Sequence, residues 1–359
     1  MSNKIFFTPG PTQLFYTYQD HFREAIKQDV GSISHRSKEF MRLFQETREN
    51  LHQLLELTDD HRIYFTGSAN EIWERMVQNL VINRSHHFLN GAFAKKFYDF
   101  ALQYQKSPSK TESPFGQAYD SLDIPDDAEL CGITLNETSN GFMFPAEDIY
   151  QIKKENPDCL MAIDGVSALP AIPIDFNYID TAYFSVQKCF GMPAGLGVWI
   201  ANKRCIEKAQ QMETDGMVTG SYHSLTSFEK YGQKNQTPET PNALSIFILG
   251  KIAEDMLRRG VSYVRNESVY KSTILYQTAE SISILDPFIK EKKYRSKTVA
   301  VCNAQNGSGT IIEVCKKKGW VLGSGYSDQK QNQVRIANFP MHSKEQVEQL
   351  CDFLVREFK

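Results

Sequence analysis

Short apolar runs alternate with amphipathic stretches over the first two thirds of the chain. Apolar positions in residues 39–57 recur at the three- and four-residue spacing of a helix. Further helices are predicted at 69–82, 93–105 and 146–155. The apolar runs that read as buried strands lie at 62–66, 86–90, 131–135, 159–164, 181–186 and 196–202. Strands that alternate with helices predict an α/β fold with a mostly parallel sheet sandwiched by helices.

The pattern changes after the segment QTPETPN, residues 236–242. Two long helices are predicted next, the first ending at a glycine C-cap, Gly260. The remaining predicted elements are strands at 297–302 and 333–337, a helix at 307–318, and a last helix opened by a capping box of Ser343 and Gln346. We therefore predict a large domain of residues 16–256 and a smaller α+β domain of residues 257–359, which residues 1–15 join.

The net charge and the length of the apolar runs argue against nucleic acid and membranes as partners. A formal net charge of −3 over 359 residues gives no basic surface for nucleic acid, which is not an expected partner. No apolar run approaches the roughly 18 residues needed to span a membrane. The first residues, MSNKIFFTPGPTQL, lack the apolar core of a signal peptide. These features predict a cytoplasmic protein with small-molecule ligands.

The cysteines indicate free thiols. There are seven of them, an odd number, and none forms a C-x-x-C pair. This scattered arrangement is typical of a reducing compartment and predicts neither a disulfide framework nor a metal site.

The segment TAYFSVQKCFG, residues 181–191, places Lys188 at the tip of a strand. A buried lysine has a lowered pKa, and its neutral amine can form a Schiff base with an aldehyde. Asp164 ends another apolar run, and the carboxyl ends of parallel strands share one edge of a sheet. Pyridoxal phosphate needs this pair, a lysine for its aldehyde and a carboxylate for its ring nitrogen. A surface lysine and a helix-capping aspartate are the alternatives.

Three other motifs fit the same ligand. A strand runs into Ser68 and Ala69 and then into a helix, a junction whose free N–H groups can hold a phosphate. Phe93 follows a Gly-Ala turn and could stack on a ring. Thr138, just past a strand end, offers a hydroxyl. Each also has an ordinary interpretation, as a strand–helix junction, a core side chain and a polar turn.

Seven segments together resemble the class V aminotransferases, which are pyridoxal-phosphate enzymes of fold type I. They are HRS (35–37), TGSA (66–69), NGAF (90–93), NETSNG (136–141), AIDGVSA (162–168), SVQKCFG (185–191) and QTPETPN (236–242). Their order and spacing, from about residue 6 to residue 340, are most similar to the phosphoserine aminotransferase branch. The resemblance implies a seven-stranded sheet, pyridoxal 5'-phosphate bound to Lys188 as an aldimine, and a homodimer.

The resemblance also implies roles in the cofactor site. Lys188 would be the Schiff-base lysine and proton shuttle, and Asp164 would pair with the ring nitrogen. Phe93 would stack on the ring, and Thr138 would hydrogen-bond the ring hydroxyl. The cofactor phosphate would be held by Ser68, Ala69 and Gln187. Gln236 and Thr237 match a family segment that reaches this phosphate from the neighbouring subunit.

On the substrate side, the resemblance implies that Arg335 binds the α-carboxylate. His35 and Arg36 match residues that contact the far, charged end of the substrate. The chain departs from the phosphoserine branch at Asn70, Asp328 and Gln329, where that branch carries an arginine and a His-Arg pair.

Several functions stay open on these grounds. The first is phosphoserine aminotransferase, which converts 3-phosphohydroxypyruvate and glutamate to phosphoserine and 2-oxoglutarate. The second is an alanine– or serine–glyoxylate (or –pyruvate) aminotransferase of the same class. The others are a cysteine desulfurase-like lyase and, as a non-enzyme, an α/β nucleotide-binding module, for which the sequence has no G-x-G-x-x-G or P-loop fingerprint.

Overall fold

The computed structural model describes residues 4–359 and contains two sheets with flanking helices, and a short hairpin. The strands are β1 Ile5–Phe7, β2 Arg62–Thr66, β3 Ser85–Leu89, β4 Ser109–Glu112, β5 Leu130–Thr134, β6 Asn136–Glu137, β7 Phe142–Met143, β8 Leu160–Asp164, β9 Thr181–Ser185, β10 Gly197–Ala201, β11 Leu285–Pro287, β12 Val299–Ala304, β13 Trp320–Ser324 and β14 Gln333–Ala337. The helices are α1 Tyr18–Lys27, α2 Lys38–Leu55, α3 Ala69–Leu80, α4 Ala92–Gln103, α5 Ala146–Glu155, α6 Lys203–Thr214, α7 Leu225–Gly232, α8 Ala243–Arg259, α9 Val261–Ser281, α10 Ser308–Lys317 and α11 Lys344–Phe358.

The large sheet has seven strands in the order β2-β10-β9-β8-β5-β3-β4. The pairings among β9, β8, β5, β3 and β4 are all parallel, whereas β10 runs antiparallel to both of its neighbours. The predicted mostly parallel, seven-stranded sheet is therefore confirmed. Strand β10 reverses direction because only the segment 186–196 separates it from β9, too short for a helical crossover.

Both faces of this sheet are buried. In β8, Met161 and Ile163 belong to an apolar cluster that includes side chains of α2 and α8, while Leu160 and Ala162 belong to a second cluster with α3 and α6. Such alternation is expected of a strand covered on both sides. A sandwich of helices around a sheet follows, as the sequence predicted.

The second sheet has the order β1-β13-β14-β12-β11 and carries its own apolar cluster with α9, α10 and α11. Strand β1 pairs in parallel with β13, so residues 5–7 lie with the C-terminal elements. The division at residues 16–256 and 257–359 stays a prediction.

Each strand and helix predicted from the sequence is present, with ends within two residues of those observed. Gly260, at φ +90°, follows α8, and Ser343 and Gln346 form the capping box of α11. The sequence analysis did not predict α1, α6, α7, β1, β4, β11, β13 or the β6–β7 hairpin. Most are short, and α7 buries only Leu225, Phe228 and Gly232, which is too little for a periodic signal. Among residues 4–359, none of the helices combines the length and apolarity that a membrane crossing requires.

Candidate active site

Lys188 and Asp164 line one cavity of about 410 Å³ at the carboxyl edge of the large sheet. Strand β8 ends at Asp164, and β9 ends three residues before Lys188. The two strands are parallel neighbours, so their carboxyl ends meet at this edge. The juxtaposition expected from the sequence is therefore present.

Lys188 is buried, with 9% of its surface exposed, and its Nζ donates a 2.6 Å hydrogen bond to the Pro9 carbonyl. Burial, and then the positive charge of Arg335, lower its pKa to about 8, although the charge of Asp164 opposes this. The side chain passes close to Gly10, at φ +141°, where a Cβ atom would lie 2.5 Å from Nζ. Only glycine fits there. About a tenth of the amine is therefore neutral at pH 7, far more than for an ordinary lysine.

Asp164 is 6% exposed, and Oδ1 accepts a 2.9 Å hydrogen bond from the Val166 N–H. Burial raises the pKa of this carboxyl to about 7, against the lowering effects of that hydrogen bond, the Tyr183 hydroxyl and Lys188. A carboxylate at such a site is stabilised by a cationic ligand group. This is the environment that a protonated ring nitrogen requires.

The first turn of α3 forms another wall of the cavity. Ser68 is the N-cap, and its Oγ accepts from the Glu71 N–H at 3.2 Å. Ser68, Ala69 and Asn70 line the cavity. The N–H groups that open a helix have no intrahelical acceptor, so this end of α3 is suited to an anion such as a phosphate.

Three more predicted residues face the same space: Phe93, Thr138 and Gln187. The Phe93 ring centroid lies 5.8 Å from Lys188 Nζ. Thr138 Oγ1 donates to Ser167 Oγ at 2.8 Å, and Gln187 Oε1 is buried with no hydrogen-bond partner. A buried polar atom without a partner is costly, and a ligand group would satisfy it.

The residues present fit pyridoxal phosphate. An amine with a lowered pKa and a buried carboxylate share a cavity with a helix start, an aromatic ring and an unpartnered amide. The volume lies in the range of small-ligand pockets. The sequence-predicted residues that line it are Ser68, Ala69, Phe93, Thr138, Asp164, Gln187 and Lys188.

Arg335 lies beside this cavity on β14. Its Nε donates to the Ser324 carbonyl at 2.7 Å and its Nη1 to the Thr138 carbonyl at 3.2 Å, which leaves Nη2 for a ligand. Burial lowers the pKa of Arg335 to about 10, so the guanidinium remains charged at neutral pH.

His35, Arg36, Gln236 and Thr237 lie together elsewhere on the chain and do not line the Lys188 cavity. Arg36 Nη1 donates to Gln236 Oε1 and to the Thr237 carbonyl, both at 2.8 Å. Burial and the charge of Arg36 lower the pKa of His35. These four residues, which come from two distant segments, thus form one cluster within the chain.

Several residues in or beside the cavity were not predicted from the sequence. Trp73, Asn136 and Ser185 line the cavity, and Tyr326 packs against Phe93 with ring centroids 5.4 Å apart. Trp73 follows Ala69 by one helical turn, and Asn136 is the first residue of the NETSNG segment. The sequence could therefore have indicated that both lie near the predicted site. Tyr326 did not, because its partner is more than 200 residues away.

The cysteines do not support a desulfurase. All seven are free and buried, and none lines the Lys188 cavity. Burial raises the pKa of the Cys189 thiol well above its ordinary value, so this neighbour of Lys188 is an unreactive packed group.

Comparison with known proteins agrees with this geometry. The family model "Aminotransferase class-V" matches residues 6–350. The structure of a phosphoserine aminotransferase from Cytophaga hutchinsonii is 42% identical, covers 100% of both chains and superposes with a TM-score of 0.98. The phosphoserine aminotransferase of Rhodococcus opacus (strain B4) is 25% identical over 331 residues, 90% of this chain and 87% of that protein.

A more distant structure shares the fold alone. It is an aspartate aminotransferase of subgroup IV from Thermus thermophilus, which is 20% identical, covers 99% of this chain and 100% of its own, and has a TM-score of 0.84. The chain belongs to the class V aminotransferases, the pyridoxal-phosphate-dependent transaminases that the paired lysine and aspartate indicated.

Proposed function

We propose that the chain is a phosphoserine aminotransferase that uses pyridoxal 5'-phosphate on Lys188. The observation that carries the proposal is that Lys188 and Asp164 line the same cavity at one edge of the large sheet. The substrate is supported by 42% identity over the whole length of a phosphoserine aminotransferase. The reaction would pass the amino group of glutamate to 3-phosphohydroxypyruvate.

The cofactor, when bound, supplies an electron-accepting ring that stabilises a carbanion at the substrate α-carbon. Lys188 supplies the base: its Nζ, with a pKa of about 8, would accept the proton of the substrate α-carbon and deliver it to the cofactor carbon that carried the aldehyde. Asp164 would stabilise a positive charge at the ring nitrogen. The start of α3 would hold the cofactor phosphate, and Phe93 would pack against the ring.

Arg335 would orient the substrate. A guanidinium binds a carboxylate through two parallel hydrogen bonds, and this one is already fixed by two backbone carbonyls. Its position beside Lys188 brings the substrate α-carbon towards the amine. Orientation of this kind gives much of the rate gain in transfer reactions.

A homodimer is part of the proposal. The cluster of His35, Arg36, Gln236 and Thr237 does not reach its own Lys188 cavity, which supports delivery to the neighbouring subunit. Exposed apolar side chains support an interface as well; they are Phe22, Ile26, Val218 and Tyr222. A cytoplasmic location and the two-domain division at residues 16–256 and 257–359 complete the proposal.

One observation favours a second candidate substrate. Asp328 and Gln329 line a cavity of about 380 Å³ together with Tyr326, whose ring packs against Phe93. The phosphoserine branch has cations at both positions, and Asp328 would repel a phosphate. An alanine– or serine–glyoxylate (or –pyruvate) aminotransferase is therefore the alternative.

The test is a half-reaction screen. Purified enzyme is loaded with cofactor, and its absorption band is followed after phosphoserine, glutamate, alanine or serine is added in turn. Rapid bleaching by phosphoserine and glutamate supports the proposal. Bleaching by alanine or serine with no response to phosphoserine supports the alternative, and no response to any amino acid would reject both.

A further inference from the structure

The carboxylate of Glu137 is fully buried behind the cavity, and the sequence analysis gave it no role. Oε2 accepts from the N–H groups of Phe93 at 3.0 Å and Ala94 at 3.1 Å. Oε1 accepts from Ser139, at 3.0 Å from N and 2.6 Å from Oγ. These donors are neutral, so they satisfy the carboxylate without cancelling its charge.

Glu137 caps helix α4 from a different element. The N-cap, Gly91, has no side chain to do so, and a Cβ atom there would lie 2.2 Å from Glu137 Cγ. The glycine therefore makes room for the carboxylate. A negative charge next to the first N–H groups of a helix stabilises the helix. Here it also fixes the backbone of Phe93, whose ring faces the cavity.

The same charge acts on the reacting groups. Its field raises the pKa of Lys188 and of Arg335, where burial lowers both, and adds to the burial that raises the pKa of Asp164. Thr138, the next residue in the chain, contacts Arg335 through its carbonyl. Glu137 itself does not line the cavity. It therefore acts through its neighbours.

We propose that Glu137 is a positioning residue for the cofactor: its carboxylate holds the first turn of α4, and with it the Phe93 ring, and places a fixed negative charge behind Lys188. This inference rests on the proposed function, because it assumes that pyridoxal phosphate binds at Lys188. Its two parts, reach and charge, can be separated by two conservative substitutions.

Glu137→Gln keeps the shape and removes the charge, whereas Glu137→Asp keeps the charge and shortens the reach. The first readout is the rate at which the cofactor-free full chain binds pyridoxal phosphate covalently, measured against pH. The wild-type midpoint should lie near the Lys188 pKa of about 8. The other charged or titratable groups that act on Lys188 are Arg335, Asp164 and Cys189. Both substitutions leave these residues in place, although Glu137→Gln also removes the charge that raises the pKa values of Asp164 and Arg335.

We expect Glu137→Gln to lower this midpoint by up to about 0.5 pH unit, because the weakest of the charges that act on Lys188 is lost. Glu137→Asp should leave the midpoint near the wild-type value. It should instead change the circular dichroism of the bound cofactor, the second readout, since that signal depends on how the ring is held. Glu137→Gln with an unchanged midpoint, or Glu137→Asp with an unchanged spectrum, would overturn the inference.

Glu129 provides a matched control. It too accepts backbone N–H groups, from Ile82 at 2.9 Å, Asn83 at 2.6 Å and Arg84 at 3.1 Å, but it precedes β5 at the opposite edge of the sheet. Glu129→Gln should reduce stability and leave both readouts unchanged; a shifted midpoint there would mean that a general loss of stability explains the effect.

If Glu137→Gln does not fold, Ser139→Ala removes one donor to Glu137 and the acceptor of the Ala92 N–H, and it must alter the cofactor spectrum for the inference to hold. If the wild-type chain itself binds no cofactor, the proposed function fails. A wild type that binds it, with variants that match it, rejects only the role of Glu137.

Discussion

His223 and Glu71 form a hydrogen-bonded ion pair that joins the loop before α7 to the first turn of α3. The other imidazole nitrogen, Nε2, lies 3.0 Å from Glu239 Oε2, in the segment that also contains Gln236 and Thr237. Glu71 in turn accepts the Gly67 N–H at 2.8 Å, directly before Ser68. A single imidazole thus connects the start of α3, the proposed phosphate site, with the segment of the same chain that carries Gln236 and Thr237.

This pairing predicts a pH-dependent stability. Burial acts to lower the pKa of His223, but the close contacts with the negatively charged Glu239 and Glu71 outweigh it and raise the pKa to about 9. In the unfolded chain the value is about 6.5. The folded state therefore holds an extra proton between these values, and the stabilisation present below pH 6.5 is lost as the pH rises through about 9.

We expect the destabilisation caused by His223→Gln to be larger at pH 7 than at pH 9.5 by about 1–2 kcal/mol, a figure reduced for partial solvent screening. Urea unfolding at equal protein concentration measures it. His86→Gln is the control, since burial lowers the pKa of His86 to about 4 and its effect should not change between these pH values. Equal costs for His223→Gln at both pH values would contradict a charged imidazole.

Arg335 is expected to determine how well amino acids bind. Arg335→Lys keeps the charge but loses the planar fork, so kcat/KM for the amino donor should fall about 10- to 100-fold, mainly through KM. Covalent cofactor binding should be unchanged. Arg356→Lys on the exposed face of α11, where Arg356 pairs with Glu357, is the control and should behave as wild type. A kcat/KM within twofold of wild type in Arg335→Lys would place the α-carboxylate elsewhere.

Local pattern was enough to predict most of the fold, and it made Lys188 and Asp164 candidates for one site, whose roles came from the resemblance to a family. Lys188 and Asp164 could be paired because each ends an apolar run, and the ends of parallel strands meet at one edge. The roles of Glu137 and His223 could not be predicted, since their partners Phe93 and Glu71 are 44 and 152 residues away and no periodicity joins them. The reversal of β10 was not predicted either, although the short connection between the predicted strands at 181–186 and 196–202 carried the signal.

Asp328 is expected to oppose binding of a phosphate-bearing substrate. It lies beside Tyr326, which packs on Phe93, so a distal phosphate in the site would feel its charge. Asp328→Asn should raise kcat/KM for phosphoserine about 2- to 5-fold relative to glutamate, and the gain should shrink in high salt. Asp352→Asn, on the exposed side of α11, should leave this ratio unchanged. An unchanged ratio in Asp328→Asn would remove the electrostatic argument for a smaller substrate.

Lys271 allows the effect of a lowered lysine pKa to be separated from the effect of the position of the lysine. Lys271 is also buried, and burial lowers its pKa to about 8, as it does for Lys188. Its Nζ, however, donates to the carbonyls of Phe339 at 3.1 Å and His342 at 2.7 Å, and it lines no part of the Lys188 cavity. A neutral amine alone should therefore not attract the cofactor; the wall formed by Asp164 and the start of α3 is needed as well.

Borohydride reduction of the loaded enzyme, followed by peptide mass spectrometry, should place the cofactor on Lys188 and leave Lys271 unlabelled. Lys188→Ala should abolish the label and the absorption band. Lys271→Met should keep both while lowering stability by about 1–3 kcal/mol, because two buried carbonyls lose their donor. Label on Lys271, or label that survives Lys188→Ala, would show that a lowered pKa selects the lysine and that the cavity does not.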